Sequence, residues 1–404
     1  MRLLFPRSPF ALLAGTIEFF PMRVLFVGHT YLTSFNRHKL RLISQMGVKL
    51  GLLTPSNWRN LDGLFVNKPS PIEEPERDAS IPIFGSPVWR AGHTASFLYS
   101  PSVVNRAVNE FQPDLIQVEQ ELYSFAAAQI AFQTSRKHKI VIFSWENLDR
   151  ALHPLQKIAR AVALRRANGI ISGNTAGITL IKQWGFTGPT KVLPQVGVDP
   201  SLYPERQLNI ANSPPQIGFV GRMVPEKGGD VLLKAAAILA NQGLDFRLVF
   251  CGTGPLAGEW QALAAKLDLA PRIIWHKSVP HSTVPELMAK MDVLVLPSRA
   301  TPSWAEQFGL VLAQAMMAGA AVVGSDCGAI PEVISRSESI FPENDHRALA
   351  VILGTLLTDP AKLASWRKFD HERALAHFAA QQIALESVRF WERLLYDSSH
   401  SVST

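Results

Sequence analysis

DVLVLPSRATPSWAEQFGLVLAQAMMAGAAVVGSDCGAIPEVI, residues 292–334, holds an aliphatic strand, a turn with Glu306 at its end, a helix-competent LVLAQAMM, a second aliphatic strand and a glycine turn. Continuous apolar strands alternating with helices are the pattern of βαβ units in a parallel sheet, buried on both faces. Glu306 falls just before the helix start, with Gly309 behind it. A carboxylate there complements the helix dipole, and its neighbours decide whether it does more.

The same alternation extends both ways from this stretch. Upstream lie IGFVG (217–221), FRLVFCG (246–252) and RIIWH (272–276), and downstream a short SIF (339–341), with helical stretches such as GDVLLKAAAILANQG between. An earlier series comprises VLFVG (24–28), KLGLLT (49–54), LIQVE (115–119), KIVIFSW (139–145), GIISG (169–173) and KVLP (191–194). Residues 55–100, rich in Pro, Trp and Gly, read as a long loop or meander. Two six-strand series predict an α/β protein of two Rossmann-like domains facing across a cleft, with ligands outside the carboxyl ends of the strands. The expected divisions are an N-terminal extension (1–21), a first domain (22–200), a linker (201–216) around NIANSPPQ, a second domain (217–375) and a C-terminal helix and tail (376–404). The amphipathic last helix can cap either domain or cross back onto the first. Met22 reads as the true start, because MRVLFVG already begins the first buried strand.

At 404 residues the chain is too long for one core. Hydrophobic residues at 47% and charged ones at 18% exclude disordered and fibrous classes. Cys251 and Cys327, far apart in apolar strands, offer neither a disulfide framework nor a CxxC pair, and read as reduced thiols of a cytoplasmic protein. No apolar run reaches membrane-spanning length. Residues 22–200 carry 20 basic against 12 acidic side chains, whereas 201–404 carry 18 against 20. That asymmetry fits an anionic partner, or a merely soluble basic surface. RALHPLQKIARAVALRRANG (150–169) places Arg150, Lys157, Arg160 and Arg165 on one arc and Leu155, Ile158 and Val162 on another. It reads as an ordinary surface helix or as a peripheral contact with anionic lipid at the inner face of a membrane.

GFVGRMVPEKGGDVLLKA (218–235) sets Arg222 and Lys227 in a glycine-flanked loop before a helix. Two cations beside unpaired helix N–H groups suit a diphosphate, and equally a solvated basic loop. VFCGTGP (249–255) is a strand followed by Gly-x-Gly, weak on its own.

Taken together, GR…EKG, CGTGP, LPS, EQFG and GAIPEVI, in this order and spacing, resemble the family 4, or group 1, retaining glycosyltransferases of the GT-B fold. The first half resembles them more loosely, through VLFVG, QPDLIQVE and LPQVGVDPSLYP. The resemblance implies transfer of a sugar from a nucleoside-diphosphate-sugar donor to a hydroxyl acceptor (a glycan, glycolipid or small molecule) with retention at the anomeric carbon. It implies no cofactor, no metal and no nucleic-acid partner. Glu306 would hold donor-sugar hydroxyls, since a carboxylate accepts two hydroxyl hydrogens and favours a developing oxocarbenium ion. The amides of Phe308, Gly309 and Leu310 would reach sugar or phosphate oxygens, and Arg222 and Lys227 the leaving diphosphate. Where the family has a second Glu on the ribose, this chain has Gln314, which loses a bidentate, charge-assisted grip. Val279, within HKSVPHS (276–282), would lie near the base.

In the first domain Gly28 matches the glycine at which the family's backbone approaches the donor. His29 reads as an orienting group for phosphate or acceptor, or as a solvated histidine. Glu119 stands where many members place a histidine, and reads either as acting on the acceptor hydroxyl or as a strand-end carboxylate. Alternatives are another GT-B activity, an epimerase or a phosphorylase, or a catalytically weak nucleotide-sugar binder suggested by Gln314. A nicotinamide dehydrogenase needs Gly-x-Gly-x-x-Gly after a strand. VGHTYLTS lacks it, and GTGPLAG has its third glycine one place late.

Overall fold

The structure, a computed structural model, describes residues 19–59, 70–204, 206–277 and 279–396. The expected N-terminal extension and C-terminal tail therefore fall largely outside the described residues. The first sheet holds seven parallel strands: β1 (Arg23–Val27), β2 (Lys49–Pro55), β3 (Ile83–Ser86), β4 (Leu115–Glu119), β5 (Lys139–Ser144), β6 (Gly169–Ser172) and β7 (Thr190–Val192). Their spatial order is β7-β6-β5-β4-β1-β2-β3. The second sheet holds β8 (Gln216–Val220), β9 (Arg247–Cys251), β10 (Ile273–His276), β11 (Val293–Leu296), β12 (Ala321–Ser325) and β13 (Ile340–Phe341), in the order β10-β9-β8-β11-β12-β13. In both sheets the order reverses beside the first strand, the arrangement of a Rossmann fold, and that reversal opens a crevice at the strand ends.

The strand missing from the sequence reading is β3. It lies in the Pro- and Gly-rich stretch and alternates rather than running apolar, as befits an edge strand with one half-exposed face. Among the described residues of the same stretch are two short antiparallel pairs, Asn57–Trp58 with Ser70–Pro71 and Val88–Trp89 with Leu98–Tyr99.

Two chain crossings join the domains and pair with each other. Val198 donates its N–H to Phe378 O and accepts from Ala380 N, each at 2.8 Å. The second crossing leads into the helix Ala380–Tyr396, which packs on the first domain. Its Trp391 is 1% exposed, sits edge-on to Phe26 and donates Nε1–H to Gln117 Oε1 at 2.9 Å. The terminal helix thus closes the first domain's core.

The stretch read as a linker is pinned rather than loose. The buried carboxylate of Asp292 accepts from Gln216 N at 2.8 Å and Asn212 Nδ2 at 2.8 Å, and pairs with Arg206 at 2.6 Å. Both cysteines are buried and free. No single helix among the described residues is long and apolar enough to cross a membrane. A bent pair, His346–Thr358 with Pro360–His377, passes by length and composition, and it buries Leu349, Leu353, Leu356 and Leu363 in the second domain's core.

Candidate active site

The site grows from the ends of β8 and β11. After β8 the chain turns through Arg222 into the short 3-10 helix Pro225–Lys227 and then the helix Gly229–Asn241. Gly228 joins the two with φ +64°, and a Cβ there would stand 2.0 Å from Pro297 O. Only glycine fits such an approach without displacing backbone. That contact sets Lys227 beside the loop leaving β11.

There Lys227 Nζ lies 2.6 Å from Glu306 Oε2, which also accepts from Ser298 Oγ at 2.9 Å. The ammonium sits 4.9 Å from the centroid of the Trp304 ring. Glu306 is 7% exposed. Its Oε1 makes no hydrogen bond among the described residues, which leaves one carboxylate oxygen for a ligand. Behind it Gly309, left-handed at φ +79°, is the N-cap of the helix Leu310–Met317. The first-turn N–H groups of a helix have no partner within it, so they form a ready anion site.

Arg222 is the less committed cation. Its side chain is 49% exposed and its nearest carboxylate is Glu226, at 3.9 Å. Arg299, absent from the sequence reading, pairs with Asp230 in the following helix. Phe308 turns its ring inward, 5.8 Å from Trp145 and 5.5 Å from Phe378. Gln314 is half-buried, and its side-chain amide makes no hydrogen bond among the described residues. It lines a small crevice with Leu310, Phe35, Asp199 and Tyr203. That crevice shares Phe35, Gly197, Asp199 and Leu202 with a cavity of about 390 Å3 between the domains. Ser282, from the loop expected to meet the base, lines the larger cavity. Val279 is half-buried beside Cys251.

On the first-domain side, Gly28 donates its N–H to Leu53 O at 3.1 Å, so that amide is already spent within the sheet. A Cβ on Gly28 would stand 3.2 Å from the Tyr31 ring, tight but not prohibitive. His29 is held between Trp58 and Phe97, with ring centroids at 4.8 and 6.0 Å. Burial pushes its imidazole down to about 4, so it is neutral at pH 7. Gln120 Nε2, an amide that can only donate, reaches His29 Nδ1 at 2.8 Å. With Nδ1 accepting, Nε2 carries the proton. His29 therefore offers a hydrogen-bond donor and not a strong base.

Glu119 is 3% exposed and spent on both oxygens, on Lys39 Nζ at 2.8 Å and on Gln195 Nε2 at 2.8 Å. This placement favours the strand-end reading over contact with an acceptor. Glu121, two residues on, accepts from Ser144 Oγ at 2.5 Å and Trp145 N at 3.0 Å, tying the loop after β4 to that after β5. Among the described residues no three His, Cys, Asp or Glu side chains converge as metal ligands would.

The structure thus pairs Lys227 with Glu306 just ahead of the helix that Gly309 opens, and engages both oxygens of Glu119 with Lys39 and Gln195. Sequence reasoning missed Ser298 and Trp304. Ser298 ends the LPS motif and had a signal there, while nothing marked Trp304.

Residues 205–373 match the family "Glycosyl transferases group 1". The chain is 27% identical over 307 residues to a 2-deoxystreptamine glucosyltransferase of Streptomyces kanamyceticus, covering 70% of this chain and 78% of that one. It is 29% identical over 198 residues to an amylovoran biosynthesis glycosyltransferase of Erwinia amylovora, spanning about half of each (47% and 48%). Among solved structures, Anabaena HepE in complex with UDP superposes with a TM-score of 0.69 at 19% identity, covering 92% of this chain and 99% of that one. Sucrose-phosphate synthase from Thermosynechococcus elongatus gives 0.68 at 17% identity, covering 93% and 100%. The last two show the fold. Residues 205–373, the greater part of the second domain, thus belong to the group 1 glycosyl transferases, and the chain as a whole has the GT-B architecture of two facing Rossmann-like domains.

Proposed function

We propose that this enzyme binds a nucleoside-diphosphate sugar in the interdomain cleft and transfers the sugar, with retention, to a hydroxyl of its acceptor. The observation that carries the reading is the Lys227–Glu306 contact, a cation and a half-free carboxylate meeting at two successive helix entrances. In the reaction the bond between the anomeric carbon and the diphosphate oxygen breaks, and its electron pair leaves with the diphosphate. The acceptor oxygen forms the new bond on the same face and gives its proton to the departing phosphate. Lys227, with Arg222 swinging in from solvent, neutralises the leaving charge. Glu306 Oε1 receives a sugar hydroxyl and stabilises the positive charge that grows on the ring. The amides of Gly309 and Leu310 assist at the phosphate.

Gln314 faces the ribose, and the loop around Val279 the base. His29, neutral and donating from Nε2, orients a phosphate or acceptor oxygen. Closure of the cleft excludes water, so that transfer outruns hydrolysis. A glycolipid acceptor is supported by one further feature. In the helix Pro154–Arg166, Leu155 and Ile158 are 56% and 60% exposed beside the exposed Lys157, while Ala159 and Ala163 face the core. Exposed aliphatics flanked by cations suit an anionic lipid surface.

The decisive experiment is release of nucleoside diphosphate from a panel of sugar donors, with and without candidate acceptors. NMR of the product's anomeric configuration would check retention. No release above background from any donor would overturn the reading.

A further inference from the structure

The EQFG loop belongs to the second domain, yet its backbone is held by the first. Asn147, in the loop after β5, donates Nδ2–H to Glu306 O at 3.0 Å. The same carbonyl accepts from Ala329 N, within its own domain, at 2.8 Å. Asn174, after β6, donates Nδ2–H to Gln307 O at 3.0 Å. Nearby, Thr175 N and Oγ1 reach the two carboxylate oxygens of Glu332 at 2.9 and 2.8 Å.

Asn174 cannot turn to serve another partner. Its Oδ1 accepts from Gly177 N at 2.7 Å, capping the helix Thr175–Gln183, and its Nδ2 also meets Trp145 O at 3.2 Å. At 1% exposure, with acceptor and donor both engaged, the amide has one orientation. A helix cap inside the first domain therefore aims an N–H at the second.

We infer that Asn147 and Asn174 are positioning residues: they fix the Glu306 and Gln307 peptides, and with them the Glu306 carboxylate, only when the two domains are closed. In an open form both carbonyls lose these donors to water, and the loop keeps only its own domain's restraints. Correct aim of the sugar-holding carboxylate is thus conditional on closure, which ties reactivity to exclusion of water. This inference rests on the role proposed for Glu306.

Two substitutions separate latch from cap. Asn174→Ser keeps an N-capping oxygen but is too short to reach Gln307. Asn174→Asp keeps the cap and sets a second oxygen against the carbonyls of Trp145 and Gln307. Asn147→Leu, at a position with no capping duty, removes the other bond while keeping the branched shape of the side chain. The expected result is a fall in kcat of about tenfold or more for each variant, largest for Asn174→Asp, with donor affinity by calorimetry within about threefold of wild type. Small-angle scattering of the unliganded Asn174→Asp protein should show a larger radius of gyration. Wild-type kcat in all three folded variants, or losses that only follow their melting temperatures, would overturn the latch. Should wild-type protein turn over no donor, the proposed function fails, and scattering alone then decides: an unchanged radius of gyration refutes the latch.

Discussion

Lys227 Nζ lies 2.6 Å from Glu306 Oε2, although 79 residues of chain separate the two. Each is largely buried, so removing one leaves the other charged without its counter-ion, a costly state. Lys227→Ala should lower kcat/KM by roughly 100- to 1,000-fold, the scale on which fixed electrostatic groups act at a transition state. Glu306→Gln, which retains an oxygen for Ser298, should fall comparably in kcat with a smaller change in donor binding. Steady-state measurement of nucleotide release checks both. Activity near wild type in either would remove this pair from the mechanism.

Gln314 lines the small crevice with no hydrogen-bond partner among the described residues, so a carboxylate there displaces no bond within them. Restoring the charge with Gln314→Glu should strengthen the hydrogen bonds to ribose by about 1–2 kcal/mol. Donor dissociation, read by calorimetry, is expected to tighten about tenfold. An unchanged constant would place the ribose elsewhere.

His29 makes acid stability a reporter of its surroundings. Burial holds its folded-state value near 4, below the 6.5 of an exposed histidine. Between these values the unfolded chain binds a proton that the folded chain does not. Stability from this group is therefore whole above pH 6.5 and is lost progressively as pH falls toward 4. His29→Gln, which cannot titrate, should flatten that part of the curve. Melting temperatures of both proteins from pH 7 to pH 4 should converge as the medium is acidified. Parallel curves would contradict the burial.

Trp391 joins the last helix to the first domain through one buried hydrogen bond and a ring contact. Trp391→Phe keeps most of the apolar volume but leaves the 1%-exposed Gln117 amide without that donor. The expected cost is about 1–3 kcal/mol. Trp391→Ala should cost about 3–5 kcal/mol. Chemical denaturation followed by fluorescence of the remaining tryptophans would measure both, and an unperturbed midpoint in the alanine variant would show the helix to be dispensable.

Much of this protein was written locally. Strands such as VLFV within Arg23–Val27 and VLVL at Val293–Leu296 are continuous apolar runs because both faces of a parallel sheet are covered, so their span could be read directly. The motif order carried the family resemblance and singled out Lys227 and Glu306, while the ion pair between them came from the structure. Where burial is one-sided or the chain is punctuated by Pro and Gly, as at β3, the periodic signal fades and the strand went unread. Tertiary structure alone decided the rest. Glu119 and Glu306 are both carboxylates at strand-side turns, yet packing gives the first two internal partners and leaves the second an open oxygen. The arc of Leu155 and Ile158 proved to face outward, because Ala159 and Ala163 allow the close approach to the core. Asn147 and Asn174 find the EQFG carbonyls across a domain boundary. A contact between distant segments depends on how two finished surfaces meet, and neither segment contains that information.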